Sequence, residues 1–63
     1  MIGKTFVYKI EDGFLVGIVQ KIIEKYASVY FTSFIDQNNK QKLLSKPFLQ
    51  RAEIKNLIQP NYA

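Results

Sequence analysis

The sequence predicts an all-β fold, a small and strongly bent five-stranded antiparallel barrel. Three observations support this prediction. Apolar residues alternate with other residues near the N-terminus, β-branched and aromatic residues dominate two longer runs, and turn-forming residues separate the runs. The 63 residues suffice for a single domain, residues 1–63, with an ordered core expected over about residues 3–58.

Residues 4–10 (KTFVYKI) predict the first strand, because successive side chains of a strand point to opposite faces. Asp12-Gly13 follows as a turn signal, since both central positions of a type I′ hairpin need a positive φ. In this hairpin an aromatic residue covers a strand glycine, which is a stabilising arrangement. The predicted pairs are Ile10 with Leu15, Tyr8 with Gly17 and Phe6 with Val19.

Residues 14–25 predict an unusually long second strand whose two faces are both largely apolar. A helix over residues 16–26 is the alternative, since Val16, Val19, Ile23 and Tyr26 would share one stripe of it. The β-branched content and Gly17 favour the strand. A strand that bends at Gly17 would serve both halves of a small barrel.

Residues 28–35 (SVYFTSFI) have the composition of a central strand, after a short connection at residues 25–28. An uncharged β-rich run of this kind invites aggregation at a sheet edge, so we expect it to be paired on both sides. Residues 36–39 predict a turn, because Asp and Asn tolerate the left-handed region.

The C-terminal third predicts two further strands, residues 40–45 and residues 52–58. Pro47 is expected at the end of the fourth strand, followed by one helical turn near residues 47–51. A single helix over residues 47–58 is the alternative. Residues 61–63 are expected to form a loose tail.

The order of these features resembles the SH3-like barrels of Tudor and KOW type, and almost equally the Sm-like fold. The segments that match are IGKTFVYKI, DGFLVGIV and SVYF, and Val16-Gly17-Ile18 loosely fits the glycine-containing strand of Sm-like proteins. Two features depart from these families. Residues 24–27 (EKYA) replace the Asp/Asn loop of Sm-like RNA pockets, and no second Sm motif is recognisable at residues 46–48. No aromatic cage of the Tudor kind can be assigned either, so the resemblance implies a fold and no site.

Composition argues against catalysis. The chain has no His and no Cys, which removes the commonest acid-base groups, nucleophiles and soft metal ligands. The acidic residues fall mostly at predicted turns or strand ends, and the three glycines are isolated, so no phosphate-cradling loop exists. We therefore expect no enzyme activity, no cofactor and no metal site.

No run of 18 apolar residues and no basic-then-apolar leader is present, so we expect no membrane span and a cytoplasmic, free-standing protein.

The net charge of +4, with a pI of about 9.5, is compatible with DNA or RNA as a partner. Cations interleaved with aromatic residues suit single-stranded nucleic acid in particular. The candidate nucleic-acid-binding residues are Lys21, Lys25, Tyr26, Tyr30, Lys40, Lys42, Lys46 and Arg51. The alternative is that Tyr30, Phe31 and Phe34 lie in the core and that the lysines only keep the domain soluble.

A protein-interaction module is the competing functional prediction, an adaptor or inhibitor that uses apolar surface or a strand edge. Hydrophobic residues make up 48% of the chain, more than a domain of this size can easily bury, so homo-oligomerisation is a further expectation.

Overall fold

The computed structural model describes residues 1–60 and contains five antiparallel strands in one sheet, which confirms the all-β prediction. The predicted tail, residues 61–63, lies outside the described residues. The hydrogen-bonded order of the strands is β4-β3-β2-β1-β5, and closure of this sheet into a barrel stays a prediction. The elements in chain order are β1 (Thr5–Ile10), β2 (Gly13–Ile23), β3 (Tyr26–Asp36), β4 (Gln41–Glu53), a 3₁₀ turn (Ile54–Asn56) and β5 (Leu57–Ile58).

The first hairpin exists, but its predicted register is wrong. Ile10 pairs with Gly13, so Glu11 and Asp12 form the turn, and neither has the positive φ of a type I′ turn. Gly13 belongs to β2 instead, with a φ of 156°, and a Cβ at this position would overlap the carbonyl oxygen of Ile35 on β3. The glycine is therefore needed for close approach between strands rather than for the turn.

As a consequence of this register, Phe6 and not Tyr8 stands opposite Gly17, while Tyr8 pairs with Leu15. A Cβ on Gly17 would lie 2.6 Å from Cγ1 of Val29 and 2.8 Å from Cδ1 of Phe31. Gly17 therefore makes room for the two β3 side chains that fill the core.

β2 is a strand throughout and pairs with β3 along its whole length, which excludes the helical alternative over residues 16–26. The ladder is irregular at two points. Thr32 is left without a β2 partner beside Gly17, where a bend was predicted, and Gln20 is left without a β3 partner. Bulges of this kind increase the local twist and bend of a sheet.

The connection predicted at residues 25–28 is wrong, because β3 already begins at Tyr26. Ile23 pairs with Tyr26, which leaves a turn of Glu24 and Lys25. Glu24 adopts a left-handed φ of 55°, a conformation that its residue type does not favour.

The turn between β3 and β4 is formed as predicted at residues 36–39. The Oδ1 atom of Asp36 accepts hydrogen bonds from the backbone N–H groups of Asn38 (2.8 Å) and Lys40 (3.0 Å), while Asn39 takes the left-handed conformation with a φ of 62°. The carboxylate thus satisfies backbone donors that the tight turn leaves unpaired.

β4 is much longer than predicted, and the helical turn near residues 47–51 is wrong. Phe31 pairs with Phe48 and Ser33 with Leu43, so residues 44–47 form a bulge opposite Thr32. Pro47 lies within this bulge, where its missing N–H breaks no ladder bond, and the strand then continues to Glu53. The helix over residues 47–58 is excluded. In the range predicted as the fifth strand, residues 52–58, Ala52 and Glu53 end β4, Ile54–Asn56 form a 3₁₀ turn, and β5 is limited to Leu57 and Ile58.

The core lies on the inner face of β2 and β3 and is small. Phe31 is its largest fully buried side chain, and its ring packs on Tyr8 and Phe48 with centroid separations of 6.1 and 5.5 Å. The buried hydrophobic residues are Val16, Val19, Ala27, Val29, Phe31 and Ala52. Phe31 is buried, Phe34 is half-buried and Tyr30 is exposed, so the alternative that placed all three in the core is wrong for Tyr30.

Candidate nucleic-acid interface

Alternate residues of β3 point away from this core and place an exposed surface on the opposite side of strands β2, β3 and β4. Directly paired residues of an antiparallel ladder share one face, so the cross-strand pairs define three rows. We call this surface the outer face, and its rows are Ile18–Tyr30–Leu49, Lys21–Ser28–Arg51 and Ile23–Tyr26–Glu53.

The first row of the outer face is apolar and exposed. Tyr30 lies in its centre and is 41% exposed, with Ile18 (36%) on one side and Leu49 (62%) on the other. Single exposed apolar residues are ordinary, but a contiguous group is a feature of binding surfaces.

The third row is organised around the half-buried ring of Tyr26. The Cζ atom of Arg51 lies 5.1 Å from the centroid of this ring, and Nζ of Lys25 lies 5.8 Å from it. Both separations are within the range of a cation–π contact. The tight turn of Glu24 and Lys25 places the lysine next to the ring, and the β3–β4 register brings Arg51 to it.

Lys21 and Arg51 form the ends of the middle row, on either side of Ser28. This end of the sheet carries three cations, Lys21, Lys25 and Arg51, against the carboxylates of Glu24 and Glu53. The Glu53 carboxylate forms an ion pair with Nζ of Lys55 at 3.4 Å, which offsets its charge. The excess of positive charge at this end of the sheet modestly favours an anionic partner.

The structure brings together five of the eight candidate residues and separates the other three. Lys21, Lys25, Tyr26, Tyr30 and Arg51 lie on or beside the outer face. Lys40 lies in the β3–β4 turn, Lys42 pairs with Phe34 near that turn, and Lys46 lies in the bulge. These three lysines are exposed, but they belong to the other end of β4.

The aliphatic members of the outer face were not among the residues predicted from the sequence; they are Ile18, Ile23 and Leu49. Taken singly, each looks like a core residue. Only the cross-strand register shows that they share a surface with Tyr30 and Tyr26.

A separate cleft of about 400 Å³ lies between the first hairpin and the C-terminal part of the described chain. Its lining carries no charged side chain, which makes it a poor site for an anion. It is lined by Val7, Phe14, Val16, Ile35, Asn39, Gln41, Ile58, Gln59 and Pro60.

Within residues 1–60, no group of three or more acidic side chains is arranged to hold a metal ion. The same residues include no helix with the length and apolar character that crossing a membrane requires.

Comparison of this chain with models of known protein families, with curated proteins and with solved structures found no match.

Proposed function

We propose that this protein is a non-enzymatic nucleic-acid-binding domain that binds DNA or RNA through the outer face. The observation on which the proposal depends is the position of Arg51 and Lys25 around the ring of Tyr26, beside Lys21 in the neighbouring row. Cations that accompany an accessible ring can neutralise phosphates while the ring contacts a base.

Overall charge supports the same proposal. The chain carries nine Lys and Arg against five Asp and Glu, and this net charge of +4 favours the approach of a polyanion. Eight of the nine cations are lysines, which contact phosphates as point charges, and Arg51 is the one residue able to make a bidentate contact. These features favour binding through the backbone of the nucleic acid over recognition of base sequence.

The experiment measures binding of the protein to a labelled oligonucleotide at increasing salt concentrations. Fluorescence anisotropy detects the binding. We expect the logarithm of the binding constant to fall linearly with the logarithm of the salt concentration, because each neutralised phosphate releases counterions. Absence of binding at about 50 mM salt, where the electrostatic contribution is large, would refute the proposal.

We further propose that the sheet is of the SH3-like or Sm-like type. The order of the elements supports this proposal. A tight hairpin leads into a long second strand, and a 3₁₀ turn precedes the short last strand. An experimental structure in which β4 and β5 lie at opposite ends of an open, flat sheet would contradict this proposal.

Protein interaction is a second candidate function, and the edge of β4 favours it. Among residues 1–60, this 13-residue strand has a ladder partner on one side only, and Leu43 on it is 85% exposed. An unpaired strand edge is a template for another chain, although Lys46 and Pro47 within the bulge hinder continuous pairing. A partner that remains bound after nuclease treatment and in high salt would favour this function, and a solution mass equal to the 7.3 kDa monomer would exclude a homo-oligomer.

A further inference from the structure

The outer face allows a narrower statement about the ligand, which rests on the proposed function. We infer that this face binds single-stranded nucleic acid, with one base stacked on Tyr30 and a second, non-adjacent base stacked on Tyr26. The inference depends on the order of the three rows along β3.

Tyr30 suits an unpaired base better than a duplex. The residue is 41% exposed and is paired with Ile18 and Leu49, whose aliphatic side chains extend an apolar platform across three strands. A base can lie flat on such a platform only when its π-face is free. In a duplex the faces are covered by neighbouring base pairs, and a protein meets phosphates and base edges.

The spacing of the two rings requires an extended strand. Tyr26 and Tyr30 are four residues apart on one face of β3, which separates them by about 13 Å at 3.3 Å per residue. Successive bases on one strand of a duplex are only about 3.4 Å apart. Neighbouring stacked bases therefore cannot occupy both rings, whereas an unstacked single strand can place two non-adjacent bases on them.

Lys21 and Arg51 lie where the backbone of such a strand would pass. They flank Ser28, which is midway between the two tyrosines on β3, so the order along the strand is ring, cation pair, ring. A phosphate between the two stacked bases would meet both cations, and Lys25 adds a third charge beside Tyr26. This alternation matches the alternation of bases and phosphates in the ligand.

The middle row of the outer face argues against an apolar protein surface as the ligand of this face. A hydrophobic partner that covered Ile18, Tyr30 and Leu49 would also approach Lys21 and Arg51, and uncompensated burial of cations is costly.

The test measures anisotropy with a fluorescent ten-nucleotide oligothymidylate and with a labelled DNA duplex of ten base pairs, at about 50 mM salt. We expect the wild-type protein to bind the single strand more tightly. Tyr30→Ala should weaken single-strand binding about five- to 150-fold, in line with the loss of one base stack. Tyr30→Phe, which keeps the ring, should bind like the wild type. If Tyr30→Ala does not fold, Tyr30→Leu replaces it, since leucine keeps apolar bulk without an aromatic face.

The outcomes separate the inference from the proposed function. Equal affinity for duplex and single strand, with Tyr30→Ala or Tyr30→Leu binding like the wild type while Arg51→Gln weakens binding, would overturn stacking and leave nucleic-acid binding intact. If the wild-type protein shows no detectable binding to either oligonucleotide, the proposed function itself is overturned.

Discussion

The guanidinium carbon of Arg51 lies 5.1 Å from the ring centroid of Tyr26, so a cation from the edge strand β4 is held over an aromatic ring of β3. Two consequences follow from this contact. The cation lies beside the aromatic residues of the outer face instead of extending into solvent. The ring is also partly occupied, so a ligand that stacks on Tyr26 has to share it with Arg51 or displace Arg51 towards a phosphate.

Neutralising Arg51 tests the position of the cation. We expect Arg51→Gln to weaken oligonucleotide binding and to reduce the slope of the log–log salt dependence by about 0.7–0.9, the change produced by losing one phosphate contact. Lys42→Gln is the matched control, because it removes the same charge at the other end of β4. An equal loss of slope in both variants would mean that binding follows net charge and not the outer face.

Replacing Gly17 tests the packing of the core against β2. A Cβ at this position would lie 2.6–2.8 Å from Val29 Cγ1, Phe31 Cδ1 and the carbonyl oxygen of Tyr30. We therefore expect Gly17→Ala to lower the free energy of unfolding by about 1–3 kcal/mol, as overpacking does in well-packed cores. Urea denaturation measures this loss, and Gln50→Ala, an exposed change on β4, should alter stability by less than about 0.5 kcal/mol. Unchanged stability of Gly17→Ala would show that Val29 and Phe31 can shift to accommodate the added Cβ at little cost.

Truncating Phe31 tests whether one small core supports the fold. This side chain is 1% exposed, and its ring lies between Tyr8 and Phe48. Phe→Ala in a core costs about 3–5 kcal/mol, while a domain of this size has roughly 3–9 kcal/mol in total at 0.05–0.15 kcal/mol per residue. We expect Phe31→Ala to be largely unfolded at 25 °C by circular dichroism or to melt far below the wild type. Leu43→Ala removes a side chain that is 85% exposed and should melt with the wild type. A Phe31→Ala protein that melts close to the wild type would contradict the assigned core.

Removing the Asp36 carboxylate tests the β3–β4 turn. Its Oδ1 atom accepts the N–H groups of Asn38 and Lys40, and the net value of such bonds is about 1 kcal/mol. We expect Asp36→Ala to lower the midpoint of urea unfolding accordingly and Asp36→Asn to retain most of the stability, because its amide oxygen can accept the same bonds. Equal stability of Asp36→Ala and the wild type would show that water replaces the carboxylate without cost.

The strands were predictable wherever a local pattern determines the structure. Alternation identified β1, β-rich composition identified β2 and β3, and turn chemistry identified residues 36–39. The prediction of a turn failed where a residue is required by a contact that is distant in the sequence. Gly13 looked like a hairpin residue, yet it is required by the carbonyl of Ile35, 22 positions further along the chain in a strand paired with β2.

The fourth strand was the largest error, and its cause is Pro47. A proline normally ends a strand, but β4 absorbs it in a bulge opposite Thr32 and continues for a further six residues, to Glu53. The pairing of Phe48 with Phe31 compensates for this irregularity, because it packs a second ring on the core. Nothing in the local sequence around Pro47 indicates that contact.

The candidate site was predictable in its cations and tyrosines but not in its arrangement. Which lysines gather on one surface depends on the β2–β3 and β3–β4 registers, and both contain bulges that shift the pairing. Lys42 and Arg51 are separated because β4 continues through the bulge at residues 44–47 as one strand, which the sequence did not predict.

The most direct test of nucleic-acid binding through the outer face is a map of the binding surface. Amide chemical shifts of the ¹⁵N-labelled protein would be followed while a short oligothymidylate is added at low salt. We expect the largest changes along the outer face, at Ile18, Lys21, Tyr26, Tyr30, Leu49 and Arg51. Changes concentrated instead around the uncharged cleft of Val7, Phe14 and Ile35, with the outer face unaffected, would contradict this prediction.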